Sequence, residues 1–133
     1  MKHIALSALS ACLLLLTSCS KNPHAALMEE STAQMTKLVE TLEGVKDKAG
    51  WEAAKPKLET VMTTMDRIGK DVKALGEPDE ATKKELGDRV SKDVAGLQQR
   101  MMQAAMKLAQ NEEIAEDVQK FMTDFGKRMS ATK

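Results

Sequence analysis

The side chains in this sequence best suited to chemistry are thioethers and carboxylates. Met62 and Met65 form a Met-x-x-Met step, and Met101, Met102 and Met106 cluster further along the chain. Thioether sulfur is a soft ligand that suits Cu(I), so these five residues define a candidate copper(I) or small-ligand site. Spacing weighs against that use, because Met65 and Met101 also fall in register with apolar stripes, where methionine serves as adaptable packing. Core packing is the favoured reading and metal binding the alternative. Glu112, Glu113, Glu116 and Asp117 form a dense carboxylate group. Calcium needs oxygen ligands converging round a turn, whereas acids at the head of an amphipathic run suit the positive end of a helix dipole. No metal site is expected there.

The cysteines need a different account. The sequence opens Met1-Lys2-His3, runs from Ile4 to Leu16 without a charge, and continues Thr17-Ser18-Cys19. A spanning helix needs about 20 apolar residues, and here polar sequence resumes at Lys21 and Asn22. Residues 1–18 therefore read as a secretory signal peptide. The order Leu16-Thr17-Ser18-Cys19 resembles the lipobox of bacterial lipoproteins. That resemblance implies removal of the signal before Cys19, a diacylglyceryl group on the Cys19 sulfur, and acylation, as by palmitate, of the new amino terminus. It also implies attachment to a membrane of the cell envelope, facing the periplasm. Ser20, standing where aspartate would retain the protein in enteric bacteria, is similar to the pattern for the outer membrane. A single acyl chain binds reversibly and two hold stably, so the bilayer is the first expected partner. The lipid on Cys19 is the sole attached group expected, with no cofactor.

On that reading the mature chain has no thiol left for a disulfide, a metal or a nucleophile, since Cys12 leaves with the signal and Cys19 carries lipid. Its one histidine is His24, beside the anchor. No Ser-His-Asp set, paired-histidine zinc site or Glu-x-x-His di-iron pair can then form within the chain, and no glycine-rich phosphate loop is present. A non-catalytic protein is expected. Every acid and all but one of the Lys and Arg residues follow Cys19, so the mature charge is close to balanced and offers no footprint for nucleic acid. What remains is an envelope structural or interaction role, with an envelope protein or self-association as partner and Met101, Met102 and Met106 as the candidate interaction surface. The ending Ala131-Thr132-Lys133 is similar to murein lipoproteins, whose terminal lysine joins peptidoglycan. Those proteins carry one unbroken heptad helix, however, and this chain is interrupted at Gly50 and at Gly76-Glu77-Pro78.

The elements that must position these residues are helices. Trp51, Ala54, Leu58, Val61, Met65, Ile68, Val72 and Leu75 recur at steps of three and four, which is one stripe of a helix and incompatible with a strand. Met28, Met35, Leu38, Leu42 and Val45 repeat the register, with Ser31 as a polar member. Val90, Val94, Leu97, Met101, Ala104 and Leu108 form a third run, and Ile114, Val118, Phe121, Phe125 and Met129, with Met122 beside them, a fourth. Ala49-Gly50 is expected to close the first helix. Gly76 suits a left-handed cap and Pro78 starts rather than continues a helix. Asn111 is expected to cap the fourth, and Pro56 to lie early in the second, whose regular part begins there after a first turn near Trp51.

The expected fold is all-α: a small antiparallel bundle of about four helices over residues 24–133, near 24–48, 51–75, 79–109 and 112–130. A long bent hairpin is the alternative. Residues 19–23 form the lipidated cysteine and a tether, and Ser20 to Pro23 extended reach only about 13 Å. Gly44, Gly69, Gly87, Gly96 and Gly126 fall inside the helices at about 1 kcal/mol each relative to alanine. With all methionines but Met1 retained and Trp51, Phe121 and Phe125 as the aromatic residues, a compliant core of modest stability is expected.

Overall fold

The computed structural model describes residues 22–131. The expected signal segment, Cys19 and the start of the expected tether lie outside the described residues, as do Thr132 and Lys133. Four helices account for nearly all of what is described: α1 (Pro23–Glu43), α2 (Lys48–Leu75), α3 (Glu80–Ala109) and α4 (Ala115–Ala131). No helix among the described residues is long and apolar enough to cross a membrane.

Side-chain caps set the starts of three helices. Asn22 accepts from the His24 amide at 3.0 Å with Pro23 at the first helical position, where the missing donor does no harm. Asp47 accepts from the Gly50 amide at 2.8 Å, and Asp79 from the Thr82 amide at 2.7 Å. Each satisfies a donor that the helix itself leaves open. The Asp47 cap corrects the first expected boundary. α1 ends at Glu43, and Gly50 lies in the first turn of α2 rather than terminating α1. α2 then runs unbroken through Pro56. Gly76 ends it at φ 76°, as the sequence foretold. After α3, the Asn111 carbonyl accepts from the amides of Ile114 and Ala115 and its side chain from Glu113 at 3.1 Å. That turn separates α3 from α4, whose regular hydrogen bonding begins at Ala115, a few residues later than expected.

The helices stand at the corners of a square, in the order α2, α1, α3, α4 around it. Cross-links give their directions. Ser31 meets Met65 and Glu30 meets Arg67, so α1 and α2 are antiparallel. Asn22–Thr82, Glu29–Arg89 and Glu43–Arg100 ascend together, so α1 and α3 run parallel. Trp51–Asp117, Glu59–Arg128 and Lys73–Ala131 show the same for α2 and α4. Direction does alternate along the chain, but α2 and α3 are not the neighbours a plain up-and-down ring makes them. Packed axes lie about 8–10 Å apart, which puts the diagonal near 13 Å. Gly76 to Asp79 span about that distance when extended.

The core fills the middle of the square. Leu38, Val39, Leu42, Val45, Trp51, Leu58, Val61, Ile68, Leu97, Leu108, Ile114, Val118 and Phe125 are buried in one cluster. Trp51 stands edge-on to Phe121, with ring centroids 6.1 Å apart at 82°, and Phe121 stacks at 6.4 Å on Phe125. Such geometry adds to simple area burial and joins α2 to α4. Ser31, the polar member of the first stripe, is satisfied by donating its hydroxyl to the Met65 sulfur at 3.8 Å. Two expectations fail at the edges of the stripes. Val72 and Leu75 are each 41% exposed, because they lie at the end of α2, level with or beyond the first residues of α1. Val90 and Val94 are only half-buried, while Thr82 and Leu86 extend the buried line of α3.

Candidate functional site

The five methionines divide into two groups. Met62, Met65 and Met101 are buried in the core cluster, and the Met65 sulfur already accepts a hydrogen bond. Met102 and Met106 are 55% and 64% exposed. They lie one turn apart on the outer side of α3, so their side chains are neighbours. Met101 points the other way, which removes it from the expected interaction surface and leaves Met102 and Met106 as its exposed members. A site using all five would need the buried three to leave the core. The carboxylates are likewise dispersed. Glu112 and Glu113 sit in the turn before α4 and Glu116 and Asp117 in its first turn, and among the described residues no group of three His, Cys, Asp or Glu is placed to hold a metal.

The surroundings of Met102 and Met106 are unusual for this protein. Charged residues make up 30% of the sequence, and solvent-facing sides of amphipathic helices normally carry them. Over 95–110, by contrast, the outer side of α3 presents Ala95, Gln98, Gln99, Met102, Met106 and Ala109, all exposed and none charged. Arg100 and Lys107, the charged residues of this stretch, lie at its margin. Arg100 grips Glu43 of α1 through two bonds of 3.0 and 2.6 Å, so its charge is turned away from the face.

Ionic geometry elsewhere is structural. Each of the sequence's arginines bridges two helices: Arg67 to Glu30, Arg89 to Glu29, Arg100 to Glu43, and Arg128 to Glu59 and Asp66. The forked guanidinium suits such bridging better than an ammonium. Sequence spacing gave no sign of these pairs, although the choice of arginine over the far commoner lysine was a usable signal. The Glu43 carboxyl is held below its ordinary value by hydrogen bonding to Arg100, and Arg100 is raised in return. At the α2–α4 joint, Trp51 donates its indole N–H to Asp117 at 3.2 Å, and Lys55 bridges Glu52 at 2.6 Å and Asp117 at 3.2 Å. Hydrogen bonding to Lys55 lowers Asp117, and hydrogen bonding to Glu52 and then Asp117 raises Lys55. The charged side chains of these bridges are each at least 36% exposed, so the pairs set register more than they stabilise.

A second network closes the end of the bundle where the described residues begin. Asn22 donates through Nδ2 to the Thr82 hydroxyl at 2.7 Å. Thr82, buried although polar, is in turn held by Asp79, whose carboxyl its amide and hydroxyl push below the ordinary value. The first described residue is thus clamped to the head of α3.

An open groove of about 670 Å³ lies between α1 and α2, and its lining includes Gln34, Lys37, Thr41, Gly44, Lys57 and Thr60. Small-molecule sites enclose most of their ligand in apolar walls around a few convergent polar groups. This groove is instead solvent-open, with long mobile amines along its rim. No protein-family model matches the chain, and comparison with curated proteins and with solved structures finds no match.

Proposed function

We propose that the protein is a bacterial lipoprotein, fixed to the periplasmic face of the outer membrane through Cys19, whose non-catalytic helical bundle presents the outer face of α3 to another protein of the envelope. The uncharged, exposed stretch around Met102 and Met106 is the observation that carries the interaction role. Exposed methionines adapt to irregular partner surfaces, and interface centres are depleted of charge with methionine enriched. The lipobox at Leu16 to Cys19 supports the anchor. The bundle's part is to hold the face rigid, through the arginine bridges and the core beneath Met101, Ala104 and Leu108.

In-cell photo-crosslinking tests this. A photoreactive residue placed at position 102 or 106 is expected to capture one recurrent protein, while the same group at Lys57, in the α1–α2 groove, captures none of it. Equal capture from both faces, or none from α3, overturns the assignment of the face.

A further inference from the structure

α2 extends beyond the start of α1 at one end of the bundle. Ser31 and Met65 are level across the antiparallel α1–α2 pair, so stepping the same number of residues outward sets Pro23 level with Lys73. Leu75 then lies beyond the start of α1 by about 3 Å, at 1.5 Å per residue. On the other side the last described carbonyl of α4, at Ala131, accepts from the Lys73 ammonium at 3.0 Å. Val72, level with the first turn of α1, and Leu75, beyond its start, continue the core stripe of α2 and are each 41% exposed. Scattered exposed apolar residues need no explanation, but these two are adjacent on one helix side at the end of the molecule.

That end is also where the tether enters. Cys19 precedes the clamped Asn22 by three residues, which reach at most about 10 Å. Asn22 cannot swing freely, since its side chain holds both the His24 amide and the Thr82 hydroxyl. At the α2–α3 connection Lys83 offsets part of the negative charge, paired to Glu77 at 3.6 Å and to Glu80 at 2.9 Å.

We propose that this end of the bundle rests on the bilayer, with Val72 and Leu75 set into the headgroup layer beside the anchor. The inference rests on the lipoprotein reading of Cys19 and adds an orientation to it. α3 then leads away from the membrane, and Met102 stands about 30 Å from Thr82 along the helix axis, clear of the lipid and open to a partner.

Lipid-quenching fluorescence on the full-length, acylated protein tests it. Once Cys19 carries lipid, single cysteines at Val72, Leu75 or Met106 can be labelled selectively with an environment-sensitive fluorophore. The protein is reconstituted in vesicles of phosphatidylethanolamine and phosphatidylglycerol containing nitroxide-labelled lipid. Several-fold stronger quenching at 72 and 75 than at 106 is expected. Equal quenching on protein that floats with the vesicles overturns the orientation while leaving the anchor intact. Disulfide-linked dimers through position 75 without lipid quenching assign the patch to a second copy. Protein that does not float, with an unmodified Cys19, removes the anchor reading and this inference with it.

Discussion

Alanine replacement of glycines separates space from backbone conformation in this fold. Gly87 and Gly96 in α3 and Gly126 in α4 have ordinary negative φ, and a Cβ added at any of them meets no atom within 4 Å. Gly76 has equally open surroundings, but its φ of 76° and ψ of −167° belong to a region that residues with a Cβ rarely occupy. The same substitution should therefore have opposite signs. Each helical glycine disfavours its helix by about 0.8–1 kcal/mol relative to alanine, of which about 0.4–1 is realised through loss of freedom in the unfolded chain. The three sites share no partners, so their gains add, giving about 1–3 kcal/mol together. A domain of this size gains about 4 °C per kcal/mol. The triple alanine variant should melt about 5–12 °C higher, and Gly76→Ala should lose about 1–3 kcal/mol. Urea unfolding of residues 20–133, followed by Trp51 fluorescence and by circular dichroism, reads both. A triple variant no more stable than the parent would refute the open helical setting of these positions, and a neutral Gly76→Ala would refute the cap.

Core and end of one helix should also part company. Leu38→Ala, at a fully buried position of α1, should cost about 2–5 kcal/mol, whereas Val72→Ala should stay within about 0.5 kcal/mol, both by denaturant midpoint. Brief peroxide treatment should oxidise Met102 and Met106 well before Met62, Met65 and Met101, since exposure governs sulfoxide formation; peptide mass spectrometry giving uniform oxidation would contradict the division of the methionines. Stability should be flat near neutrality and fall in acid. Asp79, Asp117 and Glu43 are held below their ordinary values of 3.8 and 4.5, so what they contribute is present above those values and lost as the pH drops through the lowered ones. Lys55 and Lys83, raised from 10.5, act oppositely and lose their contribution above that value. Thermal midpoints against pH, repeated in high salt, should show both limbs weakened by screening.

Much of this architecture was legible in the sequence, because apolar spacing and glycine-proline chemistry act locally. The stripe through Trp51, Leu58 and Met65 and the cap at Gly76 depend on few neighbours. Gly50 misled because a glycine near a break usually follows a helix; here Asp47 caps the next one, and a Cβ on Gly50 would come within 3.3 Å of the capping oxygen. Burial of Met62 lay outside the single stripe because α2 packs against both α1 and α4 and so buries a wider side. Four extended residues can reach an adjacent or a diagonal corner, and nothing local distinguishes α3 in one place from α3 in the other. The uncharged face of α3 was visible only in part. Sequence spacing grouped Met101 with Met102 and Met106, and the direction of the stripe through Leu97 and Ala104 is what sends it inward.

The anchor is the claim on which location, orientation and presentation of α3 depend. Intact mass and amino-terminal peptide analysis of the protein purified from its membranes tests it directly. The account predicts a chain beginning at Cys19, bearing a diacylglyceryl thioether and an amide-linked acyl group, and a Cys19→Ser variant that is released from the membrane. A chain beginning elsewhere, or one with an unmodified Cys19, would contradict it.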